Sequence, residues 1–282
     1  MLKHPQLPSA PGRRNPGDEA LERAFVALQM QRPSEAERLA ASVLKANRGN
    51  MLAASLLGRA LMAMNRADEA VEPLERAARR TSNPEIETLL GAALAAVGRR
   101  DEALDRLRQA ITRRPPFQSA FREYAGQLAK MGRFEEAVAV AEGGLRLVPD
   151  AVDLRKDLAL LYLGRNDRAK ARAMLLEALQ SAPGRQDIRN SLALVMQYDG
   201  EYASAADIYR HALGLRPDDA LSRLSLGMCQ LELGERDAGE ASMRAATQGR
   251  PDMLGRTIFS LTAASHGRFF FRPSAVIKFL GG

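Results

Sequence analysis

A proline recurs every 34 residues from position 115 onward, at Pro115, Pro149, Pro183, Pro217 and Pro251. Twelve residues before each proline stands a small residue, in turn Ala103, Ala137, Ala171, Ala205 and Gly239. Seventeen residues before each proline the chain has Gly98, Gly132, Asn166, Gly200 and Gly234. Repetition at a period of 34 is typical of stacked helix pairs, each of which buries its apolar face against its neighbours. The period therefore predicts an all-α repeat protein.

Each column has a mechanical role in a helix pair. Glycine or asparagine tolerates the left-handed conformation that ends a helix, so this column marks the turn between the first and the second helix. Proline cannot continue a helix and marks the end of the second one. Small residues let the two helices approach closely, and a further small column stands at the eighth position of each unit, at Ala24, Gly58, Gly91, Ala125, Ala159, Ala193 and Gly227.

These columns resemble the tetratricopeptide repeat (TPR) family, in its bacterial multi-repeat type. The sixth unit shows the motif as Gly200, Ala205, Tyr209, Ala212, Leu213 and Pro217. The match is strong over 50–253 and weak over 17–50, where Arg23, Gln31 and Arg48 replace the usual leucine, glycine and proline. No unit carries the tryptophan that the family often has at its fourth position. The resemblance implies a right-handed superhelical solenoid of about seven helix–turn–helix repeats with a C-terminal capping segment.

We divide the chain into a lead-in, seven repeats and a tail. Residues 1–16 hold four prolines and are expected to form a disordered, basic lead-in. The predicted repeats are 17–50, 51–83, 84–117, 118–151, 152–185, 186–219 and 220–253. The tail, 254–282, holds five of the nine phenylalanines. Two roles stay open for Phe269, Phe270, Phe271 and Phe279: a cap over the last repeat, or a self-association site that makes a homodimer.

Composition and the distribution of apolar residues indicate the cellular location of the protein. The chain carries 41 basic against 34 acidic residues, for a net charge of +7. Its single cysteine, Cys229, excludes an internal disulfide. The N-terminus lacks the apolar run of a secretory signal, and no stretch reaches the 18 apolar residues of a membrane span. We therefore expect a cytoplasmic protein without membrane insertion.

Catalytic motifs are absent from the sequence. The three histidines, His4, His211 and His266, lie far apart, and neither a metal-binding spacing nor a phosphate-cradling glycine loop occurs. We expect no catalytic residue, no metal and no cofactor, and hence no enzyme.

The family resemblance also implies a site, because TPR ligands usually lie in the concave groove lined by the first helices. Carried onto this chain, the family's groove positions give the candidate residues Arg59, Glu85, Arg122, Glu123, Lys130, Asp153, Lys156, Asp157, Asp187, Asn190, Gln197 and Tyr198. The groove lacks both the carboxylate clamp and the asparagine ladder that some members use. The seventh unit contributes an apolar end, which we expect to pack against the tail, formed by Leu221, Leu224, Met228 and Leu231.

One further charge pattern lies at the turns. The residue after each turn glycine or asparagine is basic in three units and then acidic in three, at Arg66, Arg99, Arg133, Asp167, Glu201 and Glu235. A row of turns with basic residues at one end and acidic residues at the other could form head-to-tail contacts between copies of the chain. The alternative is that the charge pattern arises by chance.

These features predict a non-catalytic scaffold or adaptor that binds a peptide or a partner protein in the groove. An alternative is an accessory or substrate-presenting subunit of a modifying enzyme, since bacterial family members often accompany such enzymes. An RNA-binding repeat protein is the alternative of another class, because helical repeats also read RNA. Nucleic acid is disfavoured, because the fifth positions carry no uniform code: Ser55, Thr88, Arg122, Lys156, Asn190 and Leu224.

Overall fold

The computed structural model describes residues 16–268 and 273–280. All regular structure in these residues is helical. The α-helices are α1 Pro16–Gln29, α2 Pro33–Ala46, α3 Met51–Ala63, α4 Ala67–Ala78, α5 Pro84–Ala96, α6 Arg100–Thr112, α7 Gln118–Lys130, α8 Phe134–Leu147, α9 Val152–Gly164, α10 Arg168–Ser181, α11 Gln186–Tyr198, α12 Tyr202–Leu215, α13 Ala220–Glu232, α14 Arg236–Thr247, α15 Leu254–Ala263 and α16 Pro273–Phe279. Phe269, Phe270 and Phe271, like almost all of the predicted lead-in, lie outside the described residues.

The helices form two compact units, which we call unit 1 (up to residue 133) and unit 2 (from residue 134 onward). Within unit 1, each helix from α1 to α6 packs against the next one, and the first helices of successive pairs, α1, α3, α5 and α7, also contact one another. Within unit 2, α8 to α15 follow the same rule of adjacent packing, and α9, α11, α13 and α15 are in contact in turn. The all-α fold of paired helices predicted from the period is confirmed.

The turn column adopts the backbone conformation that its residues allow. The backbone angle φ is between 75° and 85° at four glycines of this column, Gly98, Gly132, Gly200 and Gly234. At Asn166 it is 61°. In the first pair, Gln31 stands where glycine is usual. It still adopts a left-handed φ of 56°, so the weak motif of this repeat ends its first helix in the same way.

Small residues bring the two helices of a pair close together. A Cβ placed on Gly91 of α5 would lie 2.6 Å from Cγ of Leu107 on α6. In α3, the same addition to Gly58 would lie 2.9 Å from Cδ2 of Leu74. Leu74 and Leu107 are fully buried. Because real Cβ atoms do not approach so closely, these pairs pack in this geometry only with glycine at the crossing.

Arginine stands at the fourth position of three repeats, where the family often has tryptophan. The guanidinium of Arg155 donates to the carbonyl of Pro149, at 2.6 Å. At the same spacing along the chain, Arg189 donates to the carbonyl of Pro183 and Arg223 to that of Pro217. Each arginine thereby ties the start of a first helix to the proline that ends the preceding pair.

Charges at the turns are matched by the preceding helix pair. Arg66 lies 2.9 Å from Glu37, and Arg99 lies 3.2 Å from Glu75. Farther along, the signs are exchanged. Glu201 lies 2.7 Å from Arg172. The sign reversal seen in the sequence therefore has a role inside the chain and gives no support to head-to-tail contacts between copies.

The described part of the tail packs onto the last helix pair. Leu261 of α15 is fully buried with Leu231 and Met243. On α16, the ring of Phe279 contacts two guanidinium groups, with its centroid 4.8 Å from that of Arg244 and 4.7 Å from that of Arg268. Such cation–π contacts stabilise a helix that is too short to be stable alone. The capping alternative therefore fits Phe279.

The predicted apolar end of the seventh repeat takes part in this packing. Leu224 and Leu231 are buried, and Met228 packs against the same cluster. Leu221 differs, since 51% of it is exposed. The tail thus covers most of the apolar end but leaves its first residue in solvent.

A buried carboxylate links the last pair to the tail. Glu240 of α14 is only 4% exposed. It accepts hydrogen bonds from Arg236 at 3.1 Å and from Arg268 at 3.0 Å. Burial raises the pKa of Glu240, but the hydrogen bonds and charges of Arg268 and Arg236 outweigh burial, so the net pKa is lowered.

Replacing Gly91 with alanine tests the close approach of α5 and α6. The added methyl group collides with Leu107, so we expect the free energy of unfolding to fall by about 1–3 kcal/mol, the usual cost of overpacking a core. Gly126→Ala on α7 is the matched control, because a Cβ there meets nothing within 4 Å. Alanine should stabilise that helix by roughly 0.5–1 kcal/mol. Urea unfolding followed by circular dichroism measures both variants, and equal changes would contradict the close approach.

Substitution of Glu240 by glutamine tests the link to the tail. Glutamine keeps the shape of the side chain but loses the charge that Arg236 and Arg268 neutralise. At pH 7 we expect the amide protection factors of α16 to fall about tenfold, equivalent to roughly 1.4 kcal/mol. Hydrogen exchange with mass spectrometry measures this. The exposed Asp237 lies on the same helix, so Asp237→Asn is the control and should change nothing.

The pH dependence of the same experiment has a defined sign. A lowered folded-state pKa stabilises the fold above the unfolded-state value, which is about 4.3 for glutamate. This stabilisation is lost as the pH falls through the folded-state pKa of Glu240. The difference between wild type and Glu240→Gln should therefore be full at pH 7 and be lost as the pH falls below the unfolded-state value and through the lowered pKa of Glu240. A difference that does not change with pH would show that the charge of Glu240 contributes nothing.

Candidate functional site

The first helices of unit 1 form an apolar cleft at their N-terminal end. This α1–α3 cleft has a volume of about 320 Å³ and is lined by Asp18, Leu21, Glu22 and Phe25 of α1 and by Leu52 and Leu56 of α3. Phe25 is 46% exposed and Leu52 is 55% exposed. Large apolar side chains that remain half in solvent and flank a cavity indicate a binding surface.

A second cavity of unit 1 is lined mainly by α5, α6 and α7. This α5–α7 notch has a volume of about 310 Å³. Its apolar lining consists of Met62, Ala92, Ala95, Ala96, Ala103, Leu104 and Met131. Its polar lining consists of Arg100, Glu123, Gln127 and Lys130. The alanines of α5 leave the space that bulkier residues would fill.

Most acids of the groove in unit 1 have partners within the chain. Glu85 accepts a hydrogen bond from the hydroxyl of Ser55 at 2.5 Å. Glu123 accepts one from the amide of Gln127 at 2.7 Å. In contrast, Arg59, Arg100 and Lys130 form no ion pair with any residue from 16 to 268 or 273 to 280. The α5–α7 notch therefore presents two cations without counter-ions in this part of the chain, Arg100 and Lys130.

The groove candidates of unit 2 are joined to one another. Arg185 lies 2.7 Å from Asp153 and 2.7 Å from Asp187. Lys156 lies 2.9 Å from Asp187. The hydrogen bond from Arg185, followed by that from Lys156, holds the pKa of Asp187 well below its ordinary range. Successive repeats therefore use these charges to bind each other.

The polar candidates of unit 2 behave similarly. The amide of Asn190 donates to the hydroxyl of Ser222 at 3.0 Å. Gln197 donates to the carbonyl of Ser225 at 3.2 Å and accepts from the hydroxyl of Tyr209 at 3.0 Å. Tyr198 differs, because 61% of it is exposed.

Only some of the predicted groove residues line a cavity in the described structure. Glu123 and Lys130 both line the α5–α7 notch, whereas Arg59 of α3 is in the lining of neither cavity. Arg122 and Asp157 both interact with other groups of the chain. The α1–α3 cleft lies outside the predicted groove residues, which begin with Arg59 in the second repeat. The same family positions applied to the first repeat would have found Asp18 and Phe25.

Three further findings concern metal binding, membrane crossing and thiol reactivity. In the described part of the chain, no group of three or more His, Cys, Asp and Glu residues is arranged to hold a metal ion. None of the described helices is long and apolar enough to cross a membrane. Burial raises the pKa of the Cys229 thiol to about 11, so this group stays protonated near neutral pH.

Two family models match the chain, and both are described as Tetratricopeptide repeat. One matches residues 27–93 and 128–195, and the other matches 88–152 and 190–253. No curated protein matches this sequence.

Several solved structures share the fold. A thermophilic TPR protein from Thermus thermophilus is 23% identical over 64% of this chain and 99% of its own, with a TM-score of 0.58. A tetratricopeptide repeat protein from Parabacteroides merdae is 13% identical over 94% and 97%, with a TM-score of 0.62. The human IFIT1 dimer with PPP-AAAA is 15% identical over 88% of this chain and 64% of its own, with a TM-score of 0.71. At these identities the likeness shows the fold alone. Together with the family models, which span residues 27–253, it shows that this chain belongs to the tetratricopeptide repeat family.

Proposed function

We propose that this chain is a non-catalytic scaffold or adaptor, and that it binds a peptide segment of a partner protein in the groove formed by the first helices of unit 1. The observation that carries the proposal is the pair of cavities in this groove, each with an apolar lining and charged residues at its edge. Pockets that combine apolar walls with a few polar groups are the usual form of a binding site.

The contrast with unit 2 supports this location. There, the charges of Asp153, Lys156, Arg185 and Asp187 are already paired between successive repeats. A ligand would have to break these pairs before it gained new ones. In unit 1, Arg59 and Lys130 have no such partners among the described residues, so a ligand's carboxylates can pair with them at little cost.

The identity of the partner and the cellular location are further parts of this proposed role. An accessory or substrate-presenting subunit of a modifying enzyme would use the same groove and differ only in what its partner catalyses. A homodimer through the tail is less well supported, because Phe279 packs within the chain. The proposal includes a cytoplasmic location, with which the single buried Cys229 agrees.

Charge reversal in the groove tests the proposal. We expect Arg59→Glu with Lys130→Glu to abolish the retention of specific proteins from the native host's lysate, with at least a tenfold loss by quantitative mass spectrometry. The matched control reverses two exposed charges on the second helix α2, through Arg38→Glu with Lys45→Glu. Both variants change the net charge by the same amount, so the comparison isolates the position of the charges. The control should retain the same proteins as wild type, because α2 does not line either cavity.

Either of two results would contradict the proposal. Equal retention of the same proteins by the groove variant and the α2 variant would place the binding surface elsewhere. Retention of nucleic acid by the wild type, with binding that falls steeply with salt as phosphate contacts require, would favour the RNA-binding alternative.

A further inference from the structure

The two cavities of unit 1 differ in charge. In the α1–α3 cleft, the charged lining residues are the acids Asp18 and Glu22. In the α5–α7 notch, the cations Arg100 and Lys130 accompany a single acid, Glu123. From this difference we infer that the groove binds a bipolar peptide with two apolar anchors, one beside a basic residue and the other beside an acidic residue. The inference rests on the proposed function and names its ligand class.

The α1–α3 cleft suits an apolar side chain next to a cation. Leu21 and Leu56 are buried beneath Phe25 and Leu52, so the cavity offers an apolar floor and apolar walls. Asp18 is exposed on the first turn of α1 and forms no ion pair with any described residue. A ligand's lysine or arginine beside its apolar anchor would neutralise Asp18.

In the α5–α7 notch the charges are reversed. Ala92 and Ala95 are half-buried, and Ala96 is exposed, so the lining is shallow and made of small groups. The carboxylate of Glu123 already accepts a hydrogen bond from Gln127. Arg100 and Lys130 are both exposed and without ion pairs in the described structure, so the free charge here is positive. An apolar anchor followed by aspartate or glutamate fits this cavity.

The helix order sets the separation of the anchors. The cleft is lined by α1 and α3, whereas the notch is lined mainly by α5, α6 and α7, with Met62 of α3 at one side. Neighbouring packed helices are about 8–10 Å apart, so two spacings separate the cavities by roughly 20 Å. An extended peptide rises about 3.3 Å per residue and spans this distance with roughly six residues. Exposed ion pairs are weak, so the apolar anchors would supply affinity while the charges select the peptide.

Fluorescence polarisation with synthetic peptides tests the inference. The bipolar probe is a labelled decapeptide with Lys-Leu at one end, Leu-Glu at the other and six Gly and Ser residues between. Two controls keep both leucines but carry lysine at both ends or glutamate at both ends. We expect the full-length protein to bind the bipolar probe at least tenfold more tightly than either control.

Variants that reverse the charge of one cavity test whether the cavity charges select the peptide. Arg100→Glu with Lys130→Glu makes both cavities acidic and should move the preference to the probe with two lysines. Asp18→Lys with Glu22→Lys makes both cavities basic and should move it to the probe with two glutamates. A misfolded variant would lose all probes, whereas a gain of binding for one probe reports recognition. The α2 variant Arg38→Glu with Lys45→Glu should keep the wild-type preference.

The outcomes separate this inference from the proposed function. Equal affinities for the three probes, or no change of preference in the swap variants, would overturn the bipolar ligand class. The bipolar ligand class would also be overturned if no probe binds while capture of the partner still depends on Arg59 and Lys130. That result would leave the groove as the binding site. If the captured partner ignores the groove substitutions, the proposed function fails first and this inference fails with it.

Discussion

The close approach of two helices at a small residue is the constraint on which the rest of the structure depends. At Gly58 and Gly91 the space of a missing side chain is filled by a fully buried leucine of the paired helix. This contact makes one helix pair a unit, and the apolar surface that the pair still exposes must be covered by the next pair. The chain therefore grows by addition of pairs, and the tail helices α15 and α16 cover the last one.

Electrostatic contacts divide into those that hold repeats together and those left for a ligand. Arg66 with Glu37 and Arg172 with Glu201 link neighbouring pairs at the turns, with the signs exchanged between units 1 and 2. Exposed pairs of this kind add little stability each. Their main effect is selective, because they fix which charges are matched and leave Arg59, Arg100 and Lys130 without counter-ions among the described residues.

The sequence predicts the fold well because each repeat needs the same residue at the same place. A turn requires glycine or asparagine, as at Gly98 and Asn166, and a crossing requires a small residue, as at Gly91; such demands appear as columns. The candidate site is predicted only in part. Family positions led to Glu123 and Lys130, which do share a cavity.

The pairing of side chains across repeats could not be read from columns. Arg185 stands at the N-terminus of α11, outside the groove positions, and yet it binds Asp153 and Asp187. The α1–α3 cleft also lies outside the predicted groove residues. The first repeat departs from the motif at Arg23 and Gln31, although Gln31 adopts the same left-handed conformation as the turn residues of the other repeats. A motif reports what the backbone needs, whereas a binding surface depends on the residues that the backbone leaves unconstrained.

Site-specific photo-crosslinking tests most directly whether the groove of unit 1 is the binding surface. A photoreactive phenylalanine analogue would replace Phe25 in the α1–α3 cleft or Phe259 of α15, both of which are exposed aromatic residues. In the native host's lysate, we expect a crosslinked partner protein from position 25 and none from position 259. A partner crosslinked only from position 259, or a second copy of this chain crosslinked there, would contradict it and place the interaction at the C-terminal end.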